Sequence, residues 1–312
     1  MKKKAMFIDY IFLLRPSIQV ALWTFLFAGS YLYFKRVAVI MIFSYSMTIK
    51  MSIGLFGYAL IMGSVYILNQ ISDIDTDTIN KKLFLLSEGI ISKRIAYIYS
   101  IICVLSGFSI FLFVRIFSIN TIILLVVSYI MGILYTVTPF EFKRRPFIDL
   151  ILNGIGYGMV VPLIGFELAG GRIDFKLIIE TIPYVLSMSA VFINTTLMDY
   201  EGDKAVGART TGVILGIKKS LLLSSLLMFL SGLSGLILKD YIVFSCAYYS
   251  FILFSYVLIK KNKKNLDLTV KLTSPVMTLA FGILFPGFLI ISIVTLIAIF
   301  LYYKYRFNIK IV

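Results

Sequence analysis

The stretch Asn69-Gln70-Ile71-Ser72-Asp73-Ile74-Asp75-Thr76-Asp77-Thr78-Ile79-Asn80 follows directly on an apolar run, residues 52–68, that reads as a membrane span. Three carboxylates at the mouth of a span are costly, because charge is poorly solvated near hydrocarbon. The C-terminal end of a helix dipole opposes anions there as well. Something cationic has to compensate them. On a helix Asn69, Asp73 and Asp77 stand at i, i+4 and i+8 and line one stripe, while Asp75 points elsewhere. An amide and two carboxylates in a row make a hard-oxygen surface suited to Mg²⁺ shared with a substrate phosphate.

A second acidic stretch, Asn194-Thr195-Thr196-Leu197-Met198-Asp199-Tyr200-Glu201-Gly202-Asp203-Lys204, repeats the pattern. Asp199 and Asp203 form another i, i+4 pair with an asparagine upstream. Of 15 acidic residues in the chain, six fall in these two stretches. Both follow an even-numbered span and open on the same membrane face. Four spans separate them, which suggests two four-helix halves. Facing acidic pairs repel unless metal ions sit between them.

The rest of the chain supplies the membrane. A hydrophobic fraction of 60% with 14% charged residues describes no soluble domain. Spans are expected at about 17–34, 52–70, 95–114, 118–138, 148–168, 177–197, 220–238 and 241–259, followed by a long apolar stretch at 272–303 that contains Pro286. The basic tail after that stretch favours an even count near ten, with nine the alternative. The predicted fold is an all-α integral membrane protein: one bundle of nine to ten transmembrane helices around a central cavity, a single domain over 1–312. Asp9 and Arg15-Pro16 interrupt the apolar N-terminal run, so it is not expected to be a cleaved signal.

The formal charge of +15 follows topology. Basic clusters at Lys2–Lys4, Lys81/Lys82, Lys93/Arg94, Lys143–Arg145, Lys204/Arg209, Lys218/Lys219, Lys260–Lys264 and Lys304–Lys310 all fall on one side. The positive-inside rule makes that side cytoplasmic, together with the N-terminus and both acidic loops. The charge forms no nucleic-acid-binding face. Histidine is absent, and Cys103 and Cys246 sit in apolar runs without a disulfide pattern. An EF-hand at Asp73-x-Asp75-x-Asp77 fails, because Thr78 stands where glycine is required and Phe84 where the bidentate Glu is required. Gly154, Gly156 and Gly158 lie inside a span with no strand before them and are expected to serve close helix packing. Arg15 and Lys143 have bland readings too, as a snorkelling arginine and a topology-setting cluster. Asn153, an amide within a span, needs a partner. The 20 Tyr and 27 Phe are enough to line a cavity with π-faces that can stabilise a carbocation.

Taken together these elements resemble the UbiA superfamily of membrane prenyltransferases. Its first motif, N-D/Q-x-x-D-x-x-x-D, is met by Asn69, Gln70, Asp73 and Asp77. Its second, D-x-E-G-D-(K/R)-x-x-G-x-x-T, is met by Asp199, Glu201, Gly202, Asp203, Lys204, Gly207 and Thr210. Arg15-Pro16 match the Arg-Pro pair of the first helix, and Tyr135, Thr136, Pro139 and Lys143 the Y-S/T-x-x-P-x-x-x-K element. The resemblance runs from Arg15 to about Gly216. It implies that Asp73, Asp77, Asp199 and Asp203 hold Mg²⁺ ions bridging a prenyl diphosphate. Arg15, Asn69, Lys143 and Lys204 would bind the donor, with Tyr135 and Asn153 near the reacting carbon. A lipophilic acceptor would capture the allylic cation in a water-poor cavity within the bilayer. The sequence departs from the family after the first motif, where Phe84 replaces an arginine and the prolines are missing. A phosphoribosyltransferase or terpene cyclase of the same superfamily, and a cation transporter with facing carboxylates, are the alternatives. A transporter would place acidic groups along an exit route at mid-membrane.

Overall fold

A computed structural model describes residues 4–37, 48–79, 84–114, 117–205, 207–260 and 263–309, with no strand among them. Lys2, Lys3, Asn80–Leu83, Arg115, Lys261 and Lys310 lie outside the described residues. A short helix, α1 (Phe7–Leu13), leads into α2 (Pro16–Arg36) and α3 (Ile49–Ser72), followed by the short α4 (Ile74–Ile79) and α5 (Phe84–Ser87). Then come α6 (Lys93–Phe113), α7 (Ile119–Thr136), α8 (Ile148–Leu168, with a π-helical turn at Gly156–Val160) and α9 (Phe175–Met198). The short α10 (Tyr200–Ala205) precedes α11 (Thr211–Ile237), α12 (Tyr241–Lys260), α13 (Lys263–Leu284) and α14 (Pro286–Phe307). Ten of these helices are long and apolar enough to cross a membrane. Five of them start at side-chain caps: Thr48, Ser92, Ser118, Asp174 and Thr210 each accept a first-turn backbone N–H.

Two boundaries differ from the sequence expectation. The apolar stretch at 272–303 is two helices, broken at the non-helical Phe285 with Pro286 opening the second. The first of them starts at Lys263. Its opening turns carry Asp267 and Lys271, which pair at 2.9 Å and mask the helix in a hydropathy reading. The seventh span likewise begins at Thr211 rather than 220, with Gly216 at φ 71° bending it.

The two halves approach most closely where α2 crosses α8. A Cβ placed on Gly29 of α2 would stand 1.8 Å from the Pro162 carbonyl oxygen of α8, and a Cβ on Gly165 of α8 1.8 Å from the Leu26 carbonyl oxygen of α2. Each glycine lies three residues after the carbonyl that its partner touches. Such reciprocity is the mark of a local two-fold relation. It relates α2 to α8 locally, in keeping with the two four-helix halves that the spacing of the acidic stretches suggests. Ser30 Oγ donates to Gly165 O at 3.1 Å across the same contact. Within each half the acid-bearing helix packs along its successor, α3 on α6 and α9 on α11. Gly154 and Gly158 admit Ser189 and Val185 of α9, whereas Gly156 faces open space bounded by Met131.

The main core runs through α2, α3, α8 and α13. A second core gathers α1, the end of α3, α5, α6 and the end of α14, beside the first acidic stretch.

Candidate active site

The helix of α3 continues almost unbroken into α4. Asp73 takes φ −105°, ψ 11°, yet its N–H bonds Asn69 O at 3.0 Å and Asp77 N–H bonds Asp73 O at 2.7 Å. The i, i+4 register therefore survives, and Asn69, Asp73 and Asp77 line one basin. Asp199 repeats the device at the end of α9, with φ −97°, ψ 4° and Asp203 N–H on its carbonyl at 2.9 Å. Asp199 and Asp203 line the same basin, which holds about 300 Å³. The short helices α4 and α10 touch each other, which closes it from the side. Asp75 and Glu201 are exposed and stand outside the lining.

Three cations line the basin as well: Arg15, Lys143 and Arg144. Lys143, in the 3₁₀ turn Phe142–Arg144, is 9% exposed; its Nζ stands 2.5 Å from Asp73 Oδ1 and donates to Ser72 Oγ at 2.5 Å. Burial pushes its ammonium below the ordinary lysine value, with the Asp73 carboxylate opposing. Arg15 Nη1 donates to Asn69 Oδ1 at 3.2 Å, while its Nε is buried without a hydrogen-bond partner. A buried guanidinium N–H that is unsatisfied is a place for an anion. Asn69 Nδ2 completes the row by donating to Asp73 Oδ2 and Thr136 Oγ1, both at 3.0 Å. Lys204 is exposed, 5.8 Å above the Tyr200 ring, and outside the lining.

Below the basin lies an apolar cavity of about 210 Å³. Arg15, Asn69 and Tyr135 line both spaces and form the neck between them. Asn153 lies on the cavity side with Tyr135 and donates to Asp149 O at 2.9 Å. Two hydrogen-bonded pairs cross the cavity walls: Tyr66 with Tyr157 at 2.8 Å near the neck, and Tyr58 with Ser128 at 2.7 Å deeper in. No carboxylate is among the residues lining the cavity.

Several residues of this arrangement were not singled out from sequence. Gln70, present in the first motif, is buried and donates to Leu13 O at 2.8 Å, so it holds the turn that presents Arg15. Tyr66 sits one turn before Asn69 on α3, a spacing that could have flagged it. Asp149, fully buried, accepts from Thr211 N–H at 2.8 Å and from the Thr211 hydroxyl, whose oxygen accepts Phe147 N–H at 2.7 Å. That network fastens the loop bearing Lys143 to the segment following Asp203. The apolar loop after the first motif also finds its cause here. Phe84 packs on Phe307 at 5.1 Å between ring centroids, and Leu85 and Leu86 enter the second core. An arginine at 84 would have no place against that surface.

An all-helical bundle with a charged basin above a lipid-like cavity defines an intramembrane protein suited to a ligand that is ionic at one end and apolar at the other. The chain belongs to the UbiA prenyltransferase family, which it matches over residues 22–273. It is 27% identical to digeranylgeranylglyceryl phosphate synthase of Pyrococcus horikoshii over 54% of this chain and 57% of that protein. It is 32% identical to 1,4-dihydroxy-2-naphthoate octaprenyltransferase of Bacillus subtilis over 30% of this chain and 29% of that protein. The chain thus spans little more than half the length of the first relative and under a third of the second. A UbiA homolog of Archaeoglobus fulgidus bound to DMAPP and Mg²⁺ shares the fold with a TM-score of 0.65 at 18% identity, over 88% of this chain and 99% of that one.

Lys143→Met separates the roles of the lysine. Charge on a leaving oxygen grows towards the transition state, so a cation placed beside it serves rate more than ground-state affinity. The expected result is a fall in kcat of ~100-fold with a change in KM below about threefold. Steady-state kinetics of purified protein in nanodiscs reads both. A rise in KM at unchanged kcat would make Lys143 a binding group only.

Proposed function

We propose that this protein is a Mg²⁺-dependent intramembrane prenyltransferase, moving a polyprenyl group from its diphosphate to a lipophilic acceptor. The observation that carries this is the neck: Arg15, Asn69 and Tyr135 join a basin of carboxylates and cations to an apolar, carboxylate-free cavity. A donor placed across it would keep its diphosphate among ions and its chain in hydrocarbon. The bond between them would lie at the neck.

The donor set fits the metal. Asp73, Asp77, Asp199 and Asp203 offer hard oxygens on two facing elements. Among the described residues no three of His, Cys, Asp and Glu come together as a complete site. Mg²⁺ suits such a place, since it binds through one or two carboxylates and takes further ligands from substrate phosphate and water. When bound it supplies positive charge to the leaving diphosphate. Among the described lining residues four carboxylates stand with three cations, and a bound metal would add the positive charge that a diphosphate calls for. Arg15 and Lys143 bind and neutralise the donor's oxygens. Asn69 orients Asp73, and the tyrosines at 66, 135 and 157 present aromatic surface to the carbon that loses its partner. Apolar walls exclude water from that carbon.

Thermal stabilisation in detergent tests this. Mg²⁺ with geranylgeranyl diphosphate is expected to raise Tm by more than the sum of the shifts each gives alone. Stabilisation by a cation alone, indifferent to any prenyl diphosphate, would favour the cation path instead. For orientation, single cysteines at Arg144 and Lys204 should label from the cytoplasm and one at Arg172 from outside. Opposite labelling at 144 and 204 would place the two acidic stretches on different faces and end the shared site.

A further inference from the structure

The tenth spanning helix, all of which lies beyond the family match, reaches back to the first residues of the chain. Asp9 of α1 is fully buried, and the end of α14 surrounds it. Arg306 Nη2 stands 2.8 Å from Asp9 Oδ2, Arg306 Nε donates to Asp9 Oδ1 at 3.1 Å, and the Tyr302 hydroxyl donates to Asp9 Oδ1 at 2.7 Å. Arg306 also donates to Lys4 O at 2.7 Å, and the Tyr302 ring stacks on Phe12 with centroids 3.6 Å apart. A bidentate guanidinium–carboxylate pair fixes direction as well as distance. The α1 helix is thereby held as a unit from its outer side. Gln70 holds its other end through Leu13 O.

What α1 delivers is Arg15. This residue adopts φ 54°, ψ 66°, the left-handed conformation that a side chain with a Cβ rarely takes. Such a conformation persists only where the surroundings impose it. Its N–H bonds Phe12 O at 3.1 Å, so it is the direct continuation of the clamped helix, and its guanidinium stands at the neck. Gln70 from within and Asp9 from without both restrain that turn.

We propose that Asp9, Tyr302 and Arg306 are positioning residues: the end of α14 clamps α1 and so holds Arg15 in its left-handed turn, aimed at the anionic end of the donor. The clamp acts on donor binding through Arg15 and touches no substrate. The inference rests on the donor reading of the neck for its kinetic consequence, and on geometry alone for the clamp.

The test uses the full chain in nanodiscs with the pair Asp9→Asn/Arg306→Met, which removes both charges together and strands neither. In the native background the pair should raise the donor KM about tenfold at a nearly unchanged kcat. In an Arg15→Met background the same pair should change KM less than about twofold, because contacts that act through one residue are not additive. Tyr302→Phe should give a smaller shift in the same direction. Equal KM effects with and without Arg15, or loss of Tm with no KM change, would reduce the clamp to a structural tie and overturn the proposal. Hydrogen exchange of α1 amides, which needs no substrate, is read in parallel. The pair should lose protection over residues 7–15 while α3 keeps its own, and unchanged protection there would refute the clamp. Should the native protein bind no prenyl diphosphate at all, the donor reading falls and the exchange result alone decides the clamp.

Discussion

Asp203→Ala is expected to turn over at no more than about one-thousandth of the native rate, equivalent to ~4 kcal/mol of transition-state stabilisation. Asp73→Ala should behave alike. On the proposed mechanism each removes hard-oxygen charge from a cage whose metal would neutralise a leaving diphosphate, where several kcal/mol depend on the ion. Each also disturbs its neighbours in a different way. Asp73 receives Lys143 Nζ and Asn69 Nδ2, so its loss strands a buried cation. Asp203 lies across the basin from that pair. Asp75→Asn and Glu201→Gln, exposed and outside the lining, should keep activity within about threefold, as surface substitutions do. Initial rates with saturating Mg²⁺ and prenyl diphosphate decide the matter. An Asp75 variant as inert as the Asp73 variant would break the one-stripe geometry.

Two short acidic patterns were enough to find that basin because they break a strong rule: carboxylates at the end of an apolar helix are expensive and need a reason. The i, i+4 spacing then selected Asp73 and Asp77 over Asp75, and the structure places them so. Long-range partners left no such trace. Asp9 and Arg306 stand 297 positions apart, and neither spacing nor periodicity connects them. Asp149 stands in the first turn of a span, where nothing in the sequence marks it, although it ties two loops of the site together. Lys204 is the opposite case. Its place in a motif assigned it to the donor, while its side chain lies over Tyr200 and away from the basin. The start of α13 was hidden for a simpler reason. Its Asp267–Lys271 pair makes an amphipathic opening that hydropathy counts against a span.

The glycines were the least legible of all, because a glycine in a membrane helix serves packing, bending or nothing in particular. At the crossing of α2 and α8 a Cβ would meet backbone oxygen at 1.8 Å, the shortest such approach among the described glycines, and there the expected effect on folding is the largest. Gly165→Val should yield no monodisperse protein. Even a methyl at 165 would sit 1.8 Å from the Leu26 carbonyl oxygen, against roughly 3.3 Å for the closest favourable carbon–oxygen contact. The obstruction is backbone, so no rotamer change relieves it. The helices would have to part by about 1.5 Å, which forfeits close packing along the crossing and the Ser30 hydrogen bond to Gly165 O. Overpacking of an ordinary core costs about 1–3 kcal/mol, and a contact that cannot yield lies beyond that range. Gly29→Val should fail in the same way, since the pair is reciprocal. Gly156→Ala meets only Met131 Cε at 3.7 Å and should shift Tm by no more than about 2 °C. Size-exclusion profiles and thermal unfolding of the three variants read the contrast. A well-folded Gly165→Val protein would mean that α2 and α8 do not cross this closely, and the local two-fold relation between them would go with it.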